Sequence, residues 1–334
     1  MWLSGGFFLG WAVGANVAAT VFATAVAARM LRFSTAVELS IVFIVLGGFI
    51  NGPAATETLN RLGPVATLPS AFTLAVVSAA VITCMSALGL PVSAAQTAVG
   101  ALLGYQLFQQ GTITASAQPL LRMIMITWIC APVFSALIAF LLYKATVQVF
   151  RRLPMPIFLM DQALRLGLIL VGCYGAWAFG GNNLANVVGF YASQDLFAPV
   201  HIGPWVISQS RILALLGAFA IAAGIATFSH RVMFTVGRDL VKLDAITALI
   251  AILAQALVVD FLAHSWKFGK HTLPAIPISV SQALVGAILG LGIARGIQTI
   301  KLKILGDIII AWISAPVFSA ILSYLLLWLA HRLA

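Results

Sequence analysis

The chain has 334 residues, of which 62% are hydrophobic and 8% charged, and its mean hydropathy is +1.09. About a quarter of the residues of a soluble domain are charged, so the composition excludes that class and predicts an all-α polytopic membrane protein. The basic residues behind the net charge of +10 fall in short connectors, where they anchor spans by the positive-inside rule, and no nucleic-acid partner is expected.

Apolar segments near 5–30, 36–55, 66–88, 91–108, 119–143, 166–192, 204–228, 240–264, 275–294 and 304–330 are candidate spans. The first has no basic residue ahead of its apolar run and outlasts a signal-peptide core, so Met1–Met30 reads as a retained span. Within it, "GANVAATVFAT" from Gly14 places Asn16 at a Gly-Ala-Asn corner and predicts a broken helix, a feature tolerated at membrane depth where it is buried or lines a cavity. The second segment ends in "NGPAATET" with Glu57, one of eight acidic residues; an intramembrane carboxylate there is a candidate proton relay, or else a helix end at the interface. "PVSAAQTAVGALLG" from Pro91 puts Pro, Ser93 and Gln96 ahead of a Gly-spaced apolar helix, and "WICAPVFSA" follows from Trp128.

The basic stretch 144–165 is read as a connector between a first transmembrane repeat, 1–143, and a second, 166–334. Beyond it come "GGNNLANVVGF" from Gly180 with Asn182, Asn183 and Asn186, and then "VVDFLAHSW" with Asp260 and His264 one turn apart, a second candidate proton-handling pair. "PISVSQALVGAILG" from Pro277 carries Ser279, Ser281 and Gln282, and "WISAPVFSA" starts at Trp312. Cys84, Cys130 and Cys173 are isolated and lack metal-ligand spacing, so neither a metal site nor a cofactor is expected.

The halves repeat one another. Pro91 and Pro277 open matching segments 186 residues apart, Trp128 and Trp312 open another pair 184 apart, and Asn16 aligns with Asn182 at 166. Duplicated halves with interrupted helices point to a secondary transporter whose site lies at the repeat interface. Pro suits a helix start and Ser caps it, so two such starts offer unpaired N–H groups to an oxyanion. Ser93, Gln96, Asn16, Asn182, Asn183, Asn186, Ser279, Ser281 and Gln282 are the candidate substrate ligands. The plainer alternative is capped ends packed through Gly100, Gly104, Gly286 and Gly290. Nucleophile elbow, phosphate loop, HExxH and CxxC are all missing, which excludes the common enzymes and a nucleotide-driven pump.

"GANVAATVFAT", "NGPAATETL", "PVSAAQ", "GGNNLANVVGF" and "PISVSQ" resemble the inorganic phosphate transporter (PiT) family, whose members carry "GANDVANAFGT" and "PVSTTH" motifs in each of two inverted halves. The resemblance implies two inverted repeats, about ten to twelve transmembrane elements including broken helices or re-entrant hairpins, and oxyanion symport. Val17 and Asn183 stand where the family has Asp, and Gln96 and Gln282 where it has His. Sulfate lacks the O–H that a carboxylate accepts, so these neutral replacements are similar to the sulfate permeases of a divergent branch. The loss of carboxylates also favours H+ over a hard cation as the coupling ion.

The expectation is therefore a multi-pass protein of a bacterial-type inner membrane, surrounded by lipid and possible as a homodimer, that imports sulfate with protons. A phosphate symporter coupled to H+ or Na+ is the alternative, and an anion channel or a non-transporting scaffold is the alternative from another class.

Overall fold

The computed structural model describes residues 1–22, 25–26, 29–152, 156–203, 205–239, 243–268, 271–296 and 301–333. Ten α-helices dominate the described residues: α1 Leu3–Val21, α2 Phe33–Leu62, α3 Leu68–Ala87, α4 Ala94–Gln110, α5 Gln118–Arg152, α6 Ile157–Val188, α7 Gln209–Asp239, α8 Ala245–Ala263, α9 Val280–Arg295 and α10 Leu302–Leu333. Each of the ten predicted segments holds one of them. Among the described residues, seven helices are long and apolar enough to cross a membrane.

Two short antiparallel hairpins break the all-helical expectation: β1 Val200–Ile202 with β2 Trp205–Ile207, and β3 Trp266–Phe268 with β4 His271–Leu273. Both belong to the second half, between α6 and α7 and between α8 and α9, where they account for its extra length. Helices α5 and α6 also extend into the basic stretch 144–165.

Local chemistry sets the helix ends. Ser93 caps α4 by accepting from the Gln96 N–H at 3.2 Å, and Ser279 caps α9 by accepting from Gln282 N–H at 3.2 Å. Gly111 ends α4 in the left-handed region at φ 69°. Asp244 and Thr247 form a capping box on α8.

The helices of one half pack on those of the other. Hydrocarbon tails are as apolar as Leu, so association in a bilayer depends on close packing through small residues. A Cβ on Gly100 of α4 would lie 2.2 Å from the Pro316 carbonyl oxygen of α10, and one on Gly286 of α9 would lie 2.2 Å from that of Pro132 on α5. Gly104 and Gly290 meet the carbonyls of Ala320 and Ala136 in the same way. Gly14 of α1 abuts Ile221 O on α7, and Gly180 of α6 abuts Ile44 O on α2. The contacts therefore come in pairs related by the duplication, each joining the two halves.

Candidate functional site

Helices α4 and α9, of 17 and 16 residues, are about 25 Å long at 1.5 Å per residue, short of a hydrocarbon core of about 30 Å. They start inside the protein. Residues 91–93 and 275–279 ahead of them are non-helical yet buried, so their backbone groups need partners from within the fold. Asn182 supplies two of these: its Nδ2 donates to Ile278 O at 2.9 Å, and Ile278 N–H donates to its Oδ1 at 2.9 Å. Ser281 donates to Val92 O at 3.3 Å and Trp312 Nε1 to Pro91 O at 3.1 Å, so the second half holds the segment that leads into α4.

These bonds draw most of the predicted residues together. Ser93, Gln96, Asn182, Asn183, Asn186, Ser279, Ser281 and Gln282 are all at most 4% exposed. Ser279 and Ser281 hydroxyls are 3.2 Å apart, and Asn186 Nδ2 donates to Asn183 Oδ1 at 3.3 Å. Within this group Gln96 Oε1, Gln282 Oε1 and Asn186 Oδ1 are buried without a partner, as are the amide oxygens of Asn60, Gln106 and Gln255 elsewhere. Buried polar groups are almost always hydrogen-bonded, so the oxygens of Gln96 and Gln282, three residues past the caps Ser93 and Ser279, are acceptors left open at the two helix starts. Neutral donors and acceptors from two half-sites can surround a small oxyanion that brings both acceptor oxygens and an O–H.

The predicted break at the Gly-Ala-Asn corner is not found. Helix α1 runs unbroken through Gly14, Ala15 and Asn16, and α6 runs through Gly180 to Asn186. The glycines serve helix contact instead, and the breaks lie ahead of α4 and α9. Asn16 is buried and donates to Ser86 Oγ, which in turn donates to Ile82 O at 2.6 Å. The Val17 side chain lies outside the described residues.

The side chains of the predicted proton-handling residues bond to partners outside this cluster, although Leu262, two residues past Asp260, accepts from the Ile276 N–H of the segment ahead of α9 at 2.9 Å. Glu57 lies within α2, which continues through Pro53; its side chain is 65% exposed and pairs with Arg61 at 2.6 Å. Asp260 and His264 end α8, with His264 Nδ1 3.3 Å from Asp260 Oδ1. Tyr174 donates to Asp260 Oδ2 at 2.9 Å, a partner on α6 that the sequence does not reveal. Ser86, Trp312 and the Ile278 backbone also escaped sequence reasoning; the repeated "WISAPVFSA" is the signal that could have found Trp312.

A family profile described as the phosphate transporter family matches residues 13–163 and again 158–323. A Thermococcus kodakarensis protein provisionally named a phosphate permease is 26% identical, over 96% of this chain and 95% of the relative. Inorganic phosphate transporter 2-1, chloroplastic, of Arabidopsis thaliana is 23% identical over 98% of this chain and 71% of its own. A solved structure described as the sodium-dependent phosphate transporter shares the fold with a TM-score of 0.80 at 21% identity, covering 100% of this chain and 98% of the other. These matches favour phosphate over the sulfate expected from the neutral site, and none of them supports a sulfate-permease-like branch.

Proposed function

Because the chain belongs to the phosphate transporter family, we propose that it is a secondary transporter that moves inorganic phosphate across a membrane by proton symport. The observation that carries this reading is the pair of helix starts, buried by Ser93 and Ser279, beside the unpartnered oxygens of Gln96, Gln282 and Asn186. Helix N-termini favour the anion's charge. Phosphate keeps at least one O–H at neutral pH, and a neutral amide oxygen accepts that hydrogen bond without the repulsion a carboxylate would add. The neutral replacements that suggested sulfate are thus equally able to hold a protonated phosphate.

For the coupling ion the side chains of the cluster supply no carboxylate, which disfavours a hard cation within it. The Tyr174–Asp260–His264 group is the better candidate for proton handling than Glu57, whose carboxylate is exposed and already paired. A bacterial-type inner membrane fits the reading.

Uptake of radiolabelled phosphate and sulfate into proteoliposomes, under an imposed pH or sodium gradient, tests the reading. Saturable phosphate uptake driven by the pH gradient is expected, with sulfate a poor competitor. Sulfate uptake that phosphate fails to inhibit, or no uptake of either, overturns it. Asp260→Asn should abolish pH-driven accumulation and retain phosphate exchange; retained accumulation removes that group from the coupling role.

A further inference from the structure

The two repeats make different hydrogen bonds at equivalent positions. Asn182 grips the Ile278 backbone through both its amide atoms. The equivalent residues in the first half are Asn16 and Val92, and among the described residues they make no such bond. Asn16 donates to Ser86 instead, and Ser281 occupies the Val92 carbonyl. The tryptophans repeat the difference. Trp312 Nε1 donates to Pro91 O, whereas Trp128 Nε1 is buried without a partner, and its equivalent acceptor is Pro277 O.

We propose that the two sets of bonds are alternatives that exchange during transport. In the arrangement seen, Asn182 clamps the segment leading into α9 and Trp312 holds the one leading into α4. In the exchanged arrangement Asn16 clamps Val92 through both amide atoms, Trp128 bonds Pro277 O, and Asn182 and Trp312 let go. Each arrangement contains one two-bond clamp and one indole bond; the Asn16–Ser86 and Ser281–Val92 bonds add to the arrangement seen, so the duplication keeps the two within a few hydrogen bonds of one another. A bistable element needs that balance, since a ligand can tip two packings only when their difference is small. Ser86 gives Asn16 a partner while it waits; the unpartnered Trp128 N–H marks the bond that the present arrangement forgoes. The purpose of the exchange rests on the transport reading, but its existence can be tested without any substrate.

Hydrogen–deuterium exchange on the full chain in lipid nanodiscs, followed on peptides covering 88–93 and 274–279, reports each clamp through the backbone N–H it holds. Trp312→Phe removes a bond of the present arrangement, and Trp128→Phe removes one that forms only after exchange. Neither side chain belongs to an Asn clamp. Trp312→Phe is expected to speed exchange at 274–279 and slow it at 88–93, and Trp128→Phe to do the reverse. Losing one ordinary hydrogen bond shifts a two-state ratio about threefold or more, which sets the size of change to expect. Asn16→Ala should act in the direction of Trp128→Phe and serves if a tryptophan variant fails to fold. Changes of the same sign in both tryptophan variants, or no change in either segment, overturn the proposal. Failed phosphate uptake alongside opposite-signed exchange would reject the cargo and leave the clamps standing.

Discussion

Gln96 and Gln282 each bury an amide oxygen without a partner. Such an oxygen costs about 1–3 kcal/mol, so a fold selected for stability alone would hold an apolar side chain at each position. Gln96→Met and Gln282→Met are therefore expected to keep or raise the melting temperature in detergent. Each should also raise the KM for phosphate roughly tenfold, the loss of one hydrogen bond to a charged ligand. A lower melting temperature with unchanged KM would make the glutamines structural. At this scale the sequence revealed what depends on neighbours in the chain. Ser93 and Ser279 cap helices because the hydroxyl, its Pro neighbour and the N–H it accepts lie within a few residues. Asn182 was legible as a polar residue in an apolar run, but its partner, the Ile278 backbone, is 96 residues away. The corner at Asn16 was misread because Gly and Asn weaken an isolated helix, whereas in the fold Gly14 gives Ile221 room to approach.

The ten helices were legible as apolar runs, and the Gly-spaced faces of α4 and α9 as packing surfaces. What those faces pack against was not. Gly100 and Gly286 meet the backbone of Pro316 and Pro132, so an added methyl would press on a carbonyl that no side-chain rotation can move. Gly100→Ala and Gly286→Ala should each destabilise the protein by about 1–3 kcal/mol or more, the range for overpacking a tight interface. Gly306 on α10 has open space around it, and Ala there should gain up to about 1 kcal/mol from helix propensity. Thermal melts of the three variants decide between these outcomes; equal behaviour of Gly100→Ala and Gly306→Ala would show that α4 does not approach α10 this closely. The hairpins β1–β2 and β3–β4 were missed because three-residue strands leave too little alternation to read.

Across the whole molecule the duplication was plain from the repeated motifs, while the way the halves pack on one another was not. The fold interlocks them. Helix α1 lies on α7 and α6 on α2, while α4 lies on α10 and α9 on α5, so the close backbone contacts through glycine join one half to the other. A half on its own would leave its glycine faces, its buried helix start and the segment ahead of it without partners. In hydrocarbon those exposed backbone groups are costly, because lipid offers no hydrogen bonds. Two fragments, 1–154 and 155–334, are therefore expected to accumulate in the membrane and to copurify only when co-expressed, and together to restore phosphate uptake. Each expressed alone should be degraded or aggregate. A first fragment that is stable and monodisperse by itself would contradict the interlocked arrangement. Because the segment leading into α4 is held by Ser281 and Trp312 and the one leading into α9 by Asn182, only Asn182 acts within its own half. The second fragment alone should then retain protection of the Ile278 N–H longer than the first retains any order around Val92. Protease digestion of each fragment during its brief lifetime reads that difference, with cleavage expected near 88–93 before 274–279.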